Sequence, residues 1–253
     1  MCLIAIAWQV DPRFPLVVAA NRDEWRERPT EGAHWWRDHP QILAGRDLRA
    51  GGTWMGVTKG GRFAAVTNFR DPSDRRSTAL SRGTLVSEYL LDDKPPEEFL
   101  AQLAPKASLF NGFNLVVGDR DRLFYFGSRE SSPRAIEPGI HGLSNHLLDE
   151  PWPKVVRSRQ AMQAALRSSD PAAQLFDMLS DREGSADSEL PDTGVGIDWE
   201  RRLAPPLITG DDYGTRASTV LAISKGGSVN FEERGRGAAG EVEGVNQFSF
   251  RVS

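Results

Sequence analysis

The sequence has one cysteine, four histidines and no apolar run that reaches the ~20 residues a membrane span needs. A single cysteine excludes an internal disulfide and any zinc site built on two thiolates. No Cys-x-x-Cys-His segment is present for covalent haem attachment. There is no basic excess either: 31 Lys and Arg stand against 35 Asp and Glu, a net charge of −4. Nucleic acid is therefore not the expected partner. The arginine pairs Arg75-Arg76 and Arg201-Arg202 are short and interleaved with acids, which fits solvated surface. The apolar opening, Cys2 to Trp8, has no basic stretch before it and is soon followed by Asp11-Pro12. It is too short and wrongly flanked for a signal peptide, so a cytoplasmic location is the expectation.

What is present is an ordinary globular composition, 39% hydrophobic and 26% charged over 253 residues. That length can bury a sizeable core, and with no repeat or linker in view, residues 1–253 read as one domain. Cys2 to Val10 reads as a buried strand, and Leu16 to Ala20 as its antiparallel partner across an Asp-Pro-Arg-Phe-Pro turn. Such a pair brings Asn21-Arg22-Asp23-Glu24 beside Cys2. Glycine-bearing turns at 59–61, 118–121 and 225–227 predict three more hairpins. Helices are expected over 81–91, with Ser81 as cap, over 95–103 with proline in the first turn, and over 155–166 and 172–179. Residues 180–191 read as a loop, and the glycine-rich 235–244 as flexible. Hairpins dominate, so the expected class is α+β, antiparallel sheets with helices packed on them.

The chemistry centres on Cys2. Loss of the initiator methionine leaves one residue carrying a thiol and a free α-amine. The amine has a pKa near ~8, so it can take the thiol's proton without a histidine. The thiolate is the reactive form. A carboxylate such as Asp23 can orient that amine, and Arg22 can favour the thiolate or fork onto an acyl oxygen. Asn68 and Asn145 each follow an apolar stretch and are candidates to hydrogen-bond a developing oxyanion. Arg216, in Tyr213-Gly214-Thr215-Arg216, offers a second cation. Trp8, Trp25, Trp35, Trp36 and Trp54 fall near the proposed site; they can line an apolar pocket, but most are expected in the core.

Met-Cys at the start, Asn21-Arg22-Asp23-Glu24, Gly51-Gly52-Thr53-Trp54-Met55-Gly56, Thr67-Asn68-Phe69-Arg70-Asp71, Gly142-Leu143-Ser144-Asn145 and Tyr213-Gly214-Thr215-Arg216 together resemble the NRDE family, also called the transport and Golgi organization protein 2 family. That family resembles amino-terminal-nucleophile hydrolases of the penicillin V acylase and bile salt hydrolase type. The resemblance implies a four-layer αββα sandwich. It implies Cys2 as nucleophile, Arg22 and Asp23 orienting thiol and amine, Asn145 and less closely Asn68 in the oxyanion hole, and Arg216 as the late arginine. It implies cleavage or transfer of an acyl group at a linear amide or thioester, with no cofactor needed for catalysis. It also implies an alternative: a trafficking protein that binds haem, acyl-CoA or lipid. For haem, His34, His39, His141, His146 and Cys2 are the available ligands. One departure is plain. The hydrolases place the arginine three residues before the aspartate, whereas Arg22 and Asp23 are adjacent. Adjacent strand residues face opposite sides, so both reach Cys2 only where the strand has ended or bulges.

Overall fold

The computed structural model describes residues 2–74 and 76–252, so Met1, Arg75 and Ser253 lie outside the described residues. The first hairpin is β1 (Cys2–Trp8) and β2 (Leu16–Trp25). β1 is buried throughout, and alternation gives it two different neighbours. Ile4, Ile6 and Trp8 enter one core, while Ala5 and Ala7 enter another beneath helices. β2 does the same with Leu16, Val18 and Ala20 on one side and Val17 and Ala19 on the other. A strand buried on both faces belongs in the middle of a layered stack.

Next come β3 (Thr30–Trp35), β4 (Ile42–Asp47), β5 (Met55–Thr58) and β6 (Phe63–Asn68), then helices α1 (Gly83–Leu91) and α2 (Pro96–Leu103). They are followed by β7 (Phe113–Gly118), β8 (Leu123–Gly127), β9 (Arg134–Ala135) and β10 (Gly139–Leu143). Helices α3 (Pro153–Ala165), α4 (Pro171–Leu179) and α5 (Ile197–Leu203) precede the closing strands β11 (Tyr213–Ile223), β12 (Ser228–Arg236) and β13 (Val242–Arg251). Among the described residues the strands form two sheets. One has six strands in the order β10-β1-β2-β11-β12-β13; the other runs β3 to β9 in sequence. Every strand pairing is antiparallel.

The two sheets meet over Ile4, Ile6, Val18, Met55, Phe63, Val116 and Leu221. On the outer face of the first sheet, Ala5, Ala7 and Ala19 leave room for Met162 of α3 and Leu175, Phe176 and Leu179 of α4. On the outer face of the second, Ala64, Val66 and Leu115 meet Leu85, Tyr89 and Leu100 of α1 and α2. The result is the four-layer αββα sandwich.

Three expectations change. Ser81 does not cap α1: the residue before it is Arg82, with no side-chain cap, and Ser81 instead accepts from the Thr84 hydroxyl at 2.8 Å. Most of 235–244 is not a loose loop. It is the end of β12, a turn with Gly240 at φ +83°, and the start of β13. And β2 does not stop at Ala20 but continues through the whole tetrad to Trp25.

Candidate active site

The β1–β2 register sets Cys2 opposite Arg22 and leaves Asp23 one step further on, opposite Thr215 of β11. Cys2 follows Ile4 and Ile6 in alternation, so its side chain is on the side where the sheets face each other. There the sheets part into a cleft of about 960 Å³. Cys2, Arg22, Asn68, Trp54 and Arg216 are among its walls. The Cys2 side chain is buried at the cleft's base.

The continued strand separates the tetrad by face. Arg22 and Glu24 share the cleft side with Cys2, and their side chains come within 3.8 Å of each other. Asn21 and Asp23 point towards the helices. Asn21 is fully buried: its amide donates to the carbonyls of Leu179 (2.8 Å) and Pro206 (2.9 Å) and accepts from the Ser218 hydroxyl (2.7 Å). It fastens β2 and β11 to the end of α4 and to the segment after α5. Asp23 is buried and accepts from the Thr215 hydroxyl at 2.7 Å. Arg22 and Asp23 therefore reach the Cys2 centre from opposite faces of one strand, as the pleat requires. Their contacts differ accordingly. Asp23 raises the thiol through its charge and lowers it through its backbone N–H, while Arg22 lowers it as a charge.

Arg216 owes its position to a bulge. Thr215 faces Asp23 and Ala217 faces Arg22, so Arg216 is the extra residue between them. Its guanidinium donates to the carbonyls of Trp25, Arg26 and Arg28 at 3.0–3.2 Å, which ties down the turn leading into β3. Arg216 borders the cleft, but these donors are committed to backbone.

The two asparagines are brought together. The Asn145 amide donates to the Asn68 carbonyl at 3.0 Å, and the Asn145 carbonyl accepts from the Arg70 N–H at 2.7 Å. Asn145 is fully buried, whereas Asn68 lines the cleft. Between them and Cys2, the Ser144 hydroxyl donates to the Cys2 carbonyl at 3.1 Å. The Thr67 hydroxyl donates to the Ser144 carbonyl at 2.6 Å. This lattice joins the ends of β1, β6 and β10.

Burial pushes the Cys2 thiol up, and Asp23 adds to this; the Asp23 N–H and the Arg22 charge oppose it. Burial likewise pushes the Asp23 carboxyl up, against the pull of Lys154, the Thr215 hydroxyl and Arg70. Neither Lys154 nor Arg70 was a sequence candidate. Lys154 is buried in the first turn of α3, and Arg70 is buried against the Trp152 ring at 4.8 Å, ion-paired with Glu200.

Of the five tryptophans only Trp8 and Trp36 are buried in the core; Trp35 and Trp54 are half-buried and Trp25 is exposed. Trp8 lies between the sheets, Trp36 under α1, and Trp35 against Phe250; Trp25 stacks edge-on to Tyr213. Trp54 alone of the five borders the cleft. The histidines stand away from it: His141 pairs with Asp149 at 2.7 Å, His146 with Glu150 at 3.0 Å, His34 contacts the Gly32 carbonyl, and His39 sits by Asp38. Among the described residues no group of three or more His, Cys, Asp or Glu side chains is placed to hold a metal ion, and no helix is long and apolar enough to cross a membrane.

A mutant conjugated bile acid hydrolase from Clostridium perfringens shares this fold. It superposes with a TM-score of 0.52 over 99% of this chain and 92% of that one, at 9% identity. Sequence relatives are closer. A mouse Transport and Golgi organization 2 homolog is 33% identical over 262 residues, and the Drosophila melanogaster Transport and Golgi organization protein 2 is 25% identical over 264. Each alignment covers 92% of this chain, and 92% and 91% of the relative. The family described as Transport and Golgi organisation 2 matches residues 1–237. On the motifs, the fold and this match, the chain belongs to the Transport and Golgi organisation 2 family.

Proposed function

We propose that the protein transfers an acyl group from a linear amide or thioester onto Cys2 and then to water or another acceptor. The observation that carries this reading is the placement of the one thiol at the base of a large cleft, on a strand end, with Arg22 directly across the ladder.

The steps follow from that placement. With the α-amine of Cys2 free, the amine takes the thiol proton, and the thiolate attacks the acyl carbon. Asp23, one register step beyond, holds the amine. The sulfur–carbon bond forms, the carbonyl electrons move onto oxygen, and the Asn68 side chain or a neighbouring N–H stabilises that charge while Asn145 braces Asn68. Collapse breaks the bond to the leaving amine or thiol, which departs with the proton from the α-amine. Water then attacks the thioester and gives its proton to the same amine; the carbon–sulfur bond breaks, the Cys2 sulfur takes that proton back, and the acid is released.

The walls say something about the acyl donor. Arg22, Arg49, Arg82, Glu24, Glu31 and Glu233 border the cleft, and Trp54, Val66 and Leu80 are its larger apolar members. A donor with a polar or charged head and a modest apolar part suits such walls better than a purely greasy one. The alternative of a non-enzymatic carrier of acyl-CoA or lipid draws on the same cleft. A haem carrier is less favoured, because of the available ligands only Cys2 lines the cleft and none of the four histidines does. The test is steady-state turnover of short N-acyl amides and acyl thioesters. Turnover lost in Cys2→Ala supports acyl transfer. Unchanged affinity for the same donors without turnover in the wild type favours the carrier.

A further inference from the structure

The cleft has a far end that the proposed reaction does not use. Its floor is the first sheet, and the strand register lays two rows of residues across it. One row runs Cys2, Arg22, Ala217, Gly235 and Gly244, from β1 to β13. The row beside it runs Ile4, Ala20, Thr219, Glu233 and Asn246. Beyond Arg22 the first row carries nothing larger than a methyl group. Gly235 and Gly244 line the cleft, and a Cβ on either would meet no atom closer than 3.8 Å. The floor is therefore open from the thiol to the outermost strand. The second sheet forms the facing wall: β6 packs on β1, and β3 packs on β12 and β13.

Glu233 stands at that far end. It is 4% exposed and continues the alternation of Val229 and Phe231, which lie between the sheets. Its Oε1 accepts from the Ala33 N–H of β3 at 2.6 Å. The β3–β4 pairing shifts register between Glu31 and His34, and this bulge turns the Ala33 N–H away from the ladder. Two glycines make room for the carboxylate. A Cβ at Gly32 would lie 3.2 Å from Oε1, and one at Gly45 would lie 3.8 Å from Oε2. Both glycines line the cleft. What the carboxylate lacks is a cation, which a buried carboxylate ordinarily has. Among the described residues no lysine, arginine or histidine is ion-paired with Glu233. The arginines of the cleft are engaged elsewhere: Arg22 by Glu24, Arg28 by Asp47, Arg46 by Asp38, and Arg216 by the carbonyls that lead into β3.

We propose that Glu233 binds an ammonium group on the acyl donor, carried at the end remote from the reacting carbonyl. Placing that carbonyl at Cys2 rests on the acyl-transfer reading; the carboxylate and its cradle do not. From β1 to β12 is three strand spacings, and the two rows are two residues apart, so Cys2 and Glu233 are roughly 16 Å apart between Cα atoms. A chain of about ten bonds between carbonyl and ammonium spans most of that distance. The glycine floor admits a thin methylene chain. The two ends of the cleft also fix its direction: Arg22 attracts the carbonyl oxygen beside the thiol, and Glu233 attracts the cation. The substrate class is a linear amide or thioester with a remote basic amine.

The test is calorimetric binding to the Cys2→Ala protein, which lacks the nucleophile. One probe is the monobutyryl amide of octamethylenediamine; the other carries a hydroxyl in place of its ammonium. The ammonium probe is expected to bind about tenfold tighter, the ratio that a charge-assisted hydrogen bond supplies. Glu233→Gln, in the same background, keeps the acceptor for the Ala33 N–H and removes the charge. There the two probes are expected to bind alike, with the hydroxyl probe unchanged. Gly235→Leu raises a side chain on the floor between Cys2 and Glu233 and is expected to weaken the ammonium probe by about tenfold. It replaces Glu233→Gln if that variant does not fold. A carboxylate that only clips β12 to β3 predicts equal affinity for both probes, or a preference that survives Glu233→Gln. Either result overturns the proposal, as does an ammonium probe that does not bind, or that binds unchanged to Gly235→Leu. The readout needs no turnover. Acylation of Cys2 without any ammonium preference would remove this proposal and leave the proposed function; a preference without turnover would do the reverse.

Discussion

Asn21 gives the motif its first letter, yet the structure makes it a fastener. Its side chain is fully buried and makes three hydrogen bonds, to Leu179, Pro206 and Ser218, at 2.7–2.9 Å. Asn21→Ala removes all three. Two carbonyls lose a donor, and the Ser218 hydroxyl, which also accepts from Arg236 at 3.0 Å, loses its acceptor. Each lost bond costs about 1 kcal/mol net, and groups left unpaired in the interior add to that, so the total is roughly 3–5 kcal/mol. For a chain of this size, 1 kcal/mol corresponds to about 2–4 °C in melting temperature, which gives a fall on the order of 10 °C. The assay is thermal unfolding followed by circular dichroism, with urea unfolding as a second measure. Arg22→Gln is the control. Arg22 has only a 3.8 Å approach to Glu24, so its loss is expected to leave stability nearly unchanged. A melting temperature for Asn21→Ala within about 2 °C of wild type would refute the assignment of Asn21 to the scaffold.

Arg22→Gln is expected to slow acylation of Cys2 by a few-fold, read as the rate of adduct formation, because one charge favouring the thiolate is removed from the cleft side. Gly52→Ala is expected to destabilise by more than about 2 kcal/mol in urea unfolding: a Cβ there would sit 2.5 Å from the Gly83 backbone, where neither chain can give way. The His141–Asp149 pair makes a pH prediction. The hydrogen bond that His141 donates to Asp149 raises His141, so its contribution is fully present below about pH 6.5 and is lost as pH rises through the raised value. The melting-temperature gap between wild type and Asp149→Asn should therefore be widest in mild acid and narrow in alkali. It should not close, since Asp149 also accepts from the Gly142 N–H at 2.8 Å. A gap that widens with pH would contradict the pairing.

Much of the fold was legible because burial follows alternation. Cys2–Trp8, the hairpin at 59–61 and the strands around Lys225 carry apolar residues where the layers need them. The strands that were missed lack this signal. Thr30–Trp35 reads Thr-Glu-Gly-Ala-His-Trp, and its pairing with Ile42–Asp47 shifts register between Glu31 and His34. Such a strand is specified by its neighbour more than by its own pattern. The second strand reads as ending at Ala20, because a polar run after an apolar one usually means solvent. Here Asn21 and Asp23 are buried with hydrogen bonds in place of apolar contacts, which no periodicity announces.

The site was legible in its parts and not in its geometry. The adjacency of Arg22 and Asp23 did imply opposite faces, and the unbroken strand keeps them there. The β11 bulge that carries Arg216 is not announced by the composition of the segment. Lys154 could have been suspected from Trp152-Pro153-Lys154, a cation just inside a helix start where the dipole disfavours it. Its burial and its bond to the Leu203 carbonyl depend on how α3 packs against α5, a long-range fact.

The central claim is that Cys2 receives an acyl group. The most direct measurement is intact mass and peptide mapping after a brief incubation with a reactive acyl thioester, for the wild type and for Cys2→Ala. The account predicts a protein without Met1 that gains one acyl group, mapped to Cys2 and absent from the mutant. No adduct, or an adduct that forms equally in Cys2→Ala, would contradict it.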